Sequence, residues 1–442
     1  MSLHTVARSP SERGSRERND VALWTVHGNG RHLLGDAVVT SEERLSWPLT
    51  FGLGVQHLFA MFGMTTLVPL VTGFPVTTTL LLSGVGTLLF VVVTRNRIPS
   101  YLGASAAFVV PLVVASETGG ASPATLLGGI MVVGLVVTAV GVAVKALGVR
   151  LLESSMPPIV TGAVVLMIGL SLAPQSVASV DKQPVAAALT LGTVVLATVA
   201  SRGLLARASV LLGVLIGWAY AAVTFQLDEA RLTALRDAPW FGPPDLIAPQ
   251  VHLSVVPYVL PLVIVLVAEH VGHLKAVAAL TGRNLDGSVG DALIGGGLAT
   301  TLSGSVGGSA LSSYAANVGV MAATRVYSTA ACVVAAGASV VLSFSPKLAA
   351  LINTIPLGVL GGATLVLFGM LAMVGVRIWL DAGVDFVDPV NVAVLGTAII
   401  AGVGDLTLSI GALRITGVVW GSVGIVLLYP LLRRLADARR SS

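Results

Sequence analysis

From Ser46 onward the chain is a succession of long apolar stretches, each closed by a charge, a proline or a glycine, whereas Met1 to Glu43 scatters Arg, Ser, Glu and Asp with no apolar block. The stretches predict fourteen membrane spans, near 48–72, 77–93, 103–116, 125–148, 157–175, 184–200, 207–225, 253–278, 291–305, 308–322, 328–345, 354–376, 388–403 and 409–432. They run apolar without the period-2 alternation of barrel strands, so helices are expected, satisfying their own backbone groups in hydrocarbon. Two stretches, 103–116 and 308–322, are too short to cross as about 20 helical residues, and they are rich in Gly, Ala and Ser. The pattern predicts an all-α polytopic membrane protein in which two segments only half cross.

Composition agrees. Hydrophobic residues make up 55% and charged residues 10%, with a mean hydropathy of +0.92, against about 25% charged for a soluble domain. Charge then orients the spans. Arg8, Arg13, Arg16, Arg18, Arg31 and Arg44 precede or open the first span. Basic residues recur after the even-numbered spans: Arg95 and Arg97, Lys145 and Arg150, Arg202 and Arg207, Lys275 and Arg283, Arg325, Arg377, then Arg433, Arg434, Arg439 and Arg440. Odd connections are poorer in them, Lys347, Arg414 and the mixed-charge loop 226–250 excepted. The positive-inside rule places both termini in the cytoplasm of a multi-pass plasma-membrane protein. The N-terminal segment reads as a solvated tail without a secretory signal; nucleic-acid binding is the weaker reading of its arginines. Cys332, the one cysteine, lies in an apolar run and packs rather than bridges.

The halves look related. Gly162-Ala163 and Gly169 recur as Gly362-Ala363 and Gly369, Gln56-His57 has a counterpart in Glu269-His270, and Gly103-Ala104-Ser105 in Gly307-Gly308-Ser309. Two seven-span repeats must be inverted, because seven is odd. Inverted repeats with paired short segments point to a secondary transporter whose site lies at the repeat interface.

Ionisable groups inside spans are costly and need a reason. The densest set is in the eighth span, where Glu269 and His273 share a helix face and His270 lies about a third of a turn away. A carboxylate and an imidazole together suit the N–H and C=O edge of a polar heterocycle, and the carboxylate can also exchange a proton. The plainer alternative is a Glu paired across helices as structural glue. Zinc is disfavoured, since Glu-His-x-x-His order is not that of a metalloprotease, and no metal is expected. Gln56 and His57 in the first span either bind substrate or partner the Glu269 helix. Ser309, Ser312, Ser313, Asn317 and Thr324 are polar groups around the tenth segment, each alone also ordinary helix-packing material. No nucleophile–base pair or phosphate loop supports an enzyme.

Several strings in order resemble the nucleobase–ascorbate transporter family (nucleobase:cation symporter family 2), especially its bacterial uracil and pyrimidine permeases: Gly54-Val-Gln-His-Leu-Phe-Ala-Met-Phe-Gly63, Ile98-Pro-Ser-Tyr-Leu-Gly103, Ala268-Glu-His-Val-Gly-His-Leu-Lys275, Leu302-Ser-Gly-Ser-Val-Gly-Gly308 and Asn317-Val-Gly-Val-Met-Ala-Ala-Thr-Arg325. The resemblance implies a 7+7 inverted repeat with short extended strands opening segments 3 and 10. It implies core domains at 48–150 and 251–350, gate domains at 151–250 and 351–434, and tails at 1–47 and 435–442. It also implies a homodimer in lipid and proton-coupled uptake of uracil or a related pyrimidine, with no cofactor beyond the coupling proton. Carried over, Glu269, His273, Ala106, Ala315, Ala316 and Met64 meet substrate. Glu269, His57 and His273 take part in proton coupling, supported by Gln56, Ser105, His270, Ser313, Asn317, Thr324 and Arg325. Two departures stand at the expected site: Ala316 and Gly296 occupy positions where relatives carry acids. The alternative they imply is a diverged carrier of a purine such as xanthine, or of another small polar solute, operating without coupling.

Overall fold

The computed structural model describes residues 24–31, 38–117, 120–149, 157–171, 173–202, 204–404, 406, 408–410, 413–415 and 417–440. Of the arginines used above for orientation, Arg8, Arg13, Arg16, Arg18 and Arg150 lie outside them. The first half contains β1 (Thr25–Val26), β2 (Glu43–Arg44), α1 (Trp47–Thr72), α2 (Val76–Val93), β3 (Leu102–Ala104), α3 (Val109–Glu117), α4 (Pro123–Leu147), α5 (Pro158–Ser171), α6 (Ala173–Val180), α7 (Pro184–Ala200), α8 (Leu204–Arg207), α9 (Ser209–Val223) and α10 (Glu229–Asp237). The second contains α11 (Val256–Val259), α12 (Leu262–Thr281), α13 (Val289–Val306), β4 (Leu311–Ser313), α14 (Ala315–Thr324), α15 (Thr329–Ser343), α16 (Pro346–Asn353), α17 (Leu357–Asp381), α18 (Pro389–Val403), β5 (Leu408–Ile410), β6 (Leu413–Ile415) and α19 (Gly417–Arg440).

Helix ends follow local chemistry. α1 starts with Pro48 in its first turn and stops at Gly73, whose left-handed φ of 77° lets its N–H reach Pro69 O. Ser122 caps α4 by accepting from Thr125 N, and Asp388 caps α18 by accepting from Val390 N and Asn391 N. Among the described residues six helices are long and apolar enough to cross a membrane, or seven if the pair α15–α16, bent by 84°, counts as one span. α7, α9 and α18 are shorter apolar helices.

The helices interleave the two halves. α4 lies along α13, α2 along α15 and α13, and α1 along α15; separately, α17 packs on α5, α6 and α7, and α18 on α19 and α5. Small residues make the close approaches possible. A Cβ at Gly134 would fall 2.5 Å from Thr301 N, and one at Gly297 2.5 Å from Thr138 N, so α4 and α13 meet backbone to backbone. Gly162 and Gly375 do the same for α5 and α17, each abutting the other's carbonyl.

The structure refines the sequence reading at three places. The stretch 253–278 loses regular helical hydrogen bonding at Leu260 and Pro261, where a proline lacks the helical donor, while Val256–Thr281 still counts as one span. In the last stretch, helix α19 begins at Gly417, after Leu408–Ile410 and Leu413–Ile415 form the antiparallel pair β5–β6. The tail, finally, is not simply solvated: its end lies on the protein. β1 and β2 pair in parallel, Val39 is fully buried, its N–H donates to Arg325 O, and Tyr327 N donates back to Val39 O. Trp24 Nε1 donates to Thr329 Oγ1 at 2.7 Å and Asn96 Oδ1 at 3.2 Å. An indole and an apolar valine bury against the protein at a gain that a charged stretch would not have.

Candidate functional site

β3 and β4, from opposite halves, pair antiparallel, with Leu102 opposite Ser313, Gly103 opposite Ser312 and Ala104 opposite Leu311. A two-stranded ribbon inside a helical membrane protein leaves outward backbone groups that lipid cannot satisfy. Hydroxyls on the preceding helix of each half take that role. On α2, Thr87 Oγ1 accepts from Leu102 N at 2.9 Å and Ser83 Oγ donates to Leu102 O at 2.5 Å. On α13, Thr300 Oγ1 accepts from Leu311 N at 3.3 Å and donates to Leu311 O at 2.8 Å. The ribbon continues one step, with Ser105 N donating to Ala310 O at 2.8 Å.

α12 brings three side chains against this crossing. Ser105 Oγ donates to Glu269 Oε2 at 3.3 Å, and the Ser312 hydroxyl faces the same carboxylate from the other strand. His273 Nε2 lies 3.0 Å from Pro99 O; a carbonyl only accepts, so this nitrogen bears the proton, and Nδ1 is buried with no side-chain hydrogen-bond partner among the described residues. His270 Nδ1 lies 3.0 Å from Ser313 Oγ. Tyr314, just after β4, donates its hydroxyl to Ala104 O, tying the two broken segments together.

Each strand is followed by a helix start with no side-chain cap. Ala106 opens a short 3₁₀ turn after Ser105, and Ala315 opens α14 after Tyr314. Because the strands are antiparallel, these starts stand at opposite ends of the ribbon, and their first-turn N–H groups carry partial positive charge of the kind that binds carbonyl or anionic oxygen. Together the crossing offers a carboxylate acceptor, two serine hydroxyls and uncapped backbone donors, which is what an N–H/C=O edge requires.

The remaining expected residues fall in several places. Ala106 is half-buried beside Ser105. The backbone of Ala315 and Ala316 forms the first turn of α14, and their side chains lie outside the described residues. Asn317 is fully buried in that helix, and among the described residues neither its amide oxygen nor its amide nitrogen has a hydrogen-bond partner. His57 is buried in α1 and Gln56 is half-buried beside it. Met64 is partly buried against an apolar cluster that includes Leu67, Val214 and Leu360. Thr324 bonds its own helix at Val320 O, and Arg325 ends α14 in the left-handed region with a φ of 55°. Sequence reasoning did not single out Thr87, Thr300, Ser83 or Tyr314, whose hydrogen bonds hold the crossing together.

Residues 49–411 match the model of a permease family. A protein of Escherichia coli (strain K12) that carries the name of a pyrimidine permease, RutG, is 43% identical over 412 residues, covering 90% of this chain and 93% of its own length. A uracil permease of Paenibacillus larvae subsp. larvae is 37% identical over 409 residues, covering 89% and 96%. Among solved structures, the inward-facing murine anion transporter Slc26a9 overlays 99% of this chain and 77% of its own with a TM-score of 0.65 at 9% identity. The transmembrane domain of the cyanobacterial bicarbonate transporter BicA overlays 80% and 94% with a TM-score of 0.58 at 17% identity. At these identities the structural likeness concerns the fold alone.

Proposed function

Since the chain belongs to the nucleobase–ascorbate transporter family of permeases, we propose that it imports uracil or a related pyrimidine by proton symport, with Glu269 both binding the base and exchanging the coupling proton. The observation that supports this reading is the Glu269 carboxylate at the crossing of two broken segments, within 3.3 Å of Ser105 Oγ and beside two uncapped helix starts. A lactam N–H would donate to Glu269 and the adjacent C=O would accept from backbone N–H groups. Relatives at 37% and 35% identity are named uracil permeases.

In this reading the helices pair across the halves for a mechanical reason. α1–α4 with α12–α15 form the core that holds substrate, and α5–α9 with α17–α19 form the gate against which it slides or rocks. The protein completes fourteen segments, keeps both termini cytoplasmic and functions as a homodimer in lipid. Ala316, where related permeases carry an acid, favours a second reading in which the solute is a purine such as xanthine or another small polar molecule, carried without coupling.

Uptake of labelled uracil into proteoliposomes, with and without an imposed inward proton gradient and with unlabelled xanthine as competitor, separates these readings. Gradient-stimulated uptake that xanthine does not displace supports the first, and uptake indifferent to the gradient supports the second. Uptake no greater than in empty vesicles would overturn both.

A further inference from the structure

His270 adjoins the acid discussed above but makes a different set of contacts. It is 1% exposed, and its ring stacks on Phe90 of α2 with centroids 6.2 Å apart and planes at 17°. Nδ1 meets Ser313 Oγ at 3.0 Å, and that oxygen also takes a hydrogen bond from Ser100 Oγ at 3.0 Å. Nε2 is buried with no hydrogen-bond partner among the described residues, and it faces the backbone of Gly296 on α13: a Cβ added there would land on the imidazole, Nε2 first. The neighbouring Gly295 is likewise apposed to Phe90, where a Cβ would come within 3.0 Å of the ring. One side chain of α12 thus touches α2, α13 and β4 at once.

The chemistry suits a fixed strut. Ser313 already accepts from Ser100, so its own proton is free to point at Nδ1, which leaves the ring hydrogen on Nε2 facing glycine backbone. A buried donor without a partner is costly and persists where the other contacts over-determine its place. Successive strand residues point to opposite faces, and Ser312 and Ser313 follow that rule: Ser312 faces Glu269 while Ser313 meets His270. Fixing Ser313 therefore fixes the turn of β4 about its axis, and with it the angle at which Ser312 is presented to the carboxylate.

We propose that His270 is a positioning residue for substrate binding: Nδ1 anchors Ser313 and so orients β4 against Glu269, and Gly296 is the position that gives the ring room. It deepens the transport reading and rests on that reading for its affinity readout. The test compares His270→Leu, His270→Asn, Ser313→Ala and the double variant His270→Leu/Ser313→Ala in the full-length protein, measuring uracil KM and maximal rate in proteoliposomes and Tm in detergent. Loss of one hydrogen bond predicts a KM raised roughly tenfold by His270→Leu and by Ser313→Ala, with maximal rates within about twofold of wild type. The double variant should match either single one. His270→Asn, whose amide can occupy the place of Nδ1, should recover most of the affinity. An unchanged KM in His270→Leu, or a KM raised about a hundredfold in the double variant, overturns the proposal. If His270→Leu does not fold, the comparison of His270→Asn with Ser313→Ala decides: equal KM losses contradict it, and near wild-type affinity in His270→Asn alone supports it. Wild-type protein that fails to take up uracil would refute the transport reading instead, and the Tm values then decide the contact. Equal losses in the single and double variants support it, and additive losses refute it.

Discussion

The two strands at the crossing solve one problem in two ways. β3 is held almost entirely through its backbone: Leu102 N and O by Thr87 and Ser83, Ala104 O by Tyr314, and the preceding Pro99 O by His273. β4 shares the threonine clamp but also offers hydroxyls of its own, Ser312 toward Glu269 and Ser313 toward His270 and Ser100. The first-half strand is a tightly packed scaffold, with Leu102 and Ala104 fully buried and Gly103 without room for a side chain. The second-half strand is where side-chain identity adjusts the site. The difference separates a strand held by its backbone from one that also presents hydroxyls.

The sharpest break in that comparison is at the register pair Gly103 and Ser312. Gly103 faces Met61, and a Cβ there would also lie 2.9 Å from Thr65 Oγ1 and from Tyr314 Cε2. Gly103→Val is expected to abolish recovery of monodisperse protein by size-exclusion chromatography, whereas Ser312→Ala should fold and lose affinity only. A smaller effect is expected at the threonine clamps. Thr300→Val strips partners from both Leu311 N and O, while Thr87→Val strips Leu102 N and leaves Leu102 O with Ser83. At about 1–3 kcal/mol per buried unsatisfied group, Thr300→Val should lower stability about twice as much as Thr87→Val in denaturation of the purified protein. Equal losses would mean that the halves are clamped alike.

Much of the fold was legible because spans announce themselves by length and hydropathy, and the short segments by their glycine and serine. The clamps were not. A threonine inside a membrane helix usually bonds back to its own helix, as Thr66, Thr94 and Thr138 do with carbonyls four residues earlier. Nothing in the sequence distinguishes Thr87 and Thr300 from these until the strands are in place. Glu269 was conspicuous as an intramembrane acid, and Ser105 meets it. The docked end of the tail was hidden for a different reason, since Trp24 finds Asn96 and Thr329 across 72 and 305 residues.

That docked segment is the mildest place to probe the molecule. Trp24→Phe removes the indole donor and should lower Tm by a few degrees, consistent with about 1 kcal/mol per lost hydrogen bond. Smaller still is a pH effect at Glu43. Burial pushes its carboxyl up, but the Thr40 N–H, the Thr40 hydroxyl and His27 outweigh that and hold it below its ordinary 4.5. A depressed acid stabilises the folded state above pH 4.5 and loses that contribution as pH falls through the lowered value. Glu43→Gln should therefore narrow the stability difference between pH 6 and about pH 3.5 that wild type shows, without altering transport at neutral pH.

The central claim is that Glu269 bears both recognition and coupling at a crossing where no second acid has been found among the described residues in contact with it. Labelled uracil uptake driven by an inward proton gradient, compared between wild type and Glu269→Gln reconstituted at equal density, tests it most directly. The account predicts accumulation above the external concentration by wild type and none by the variant. Equal gradient-driven accumulation by both would contradict it.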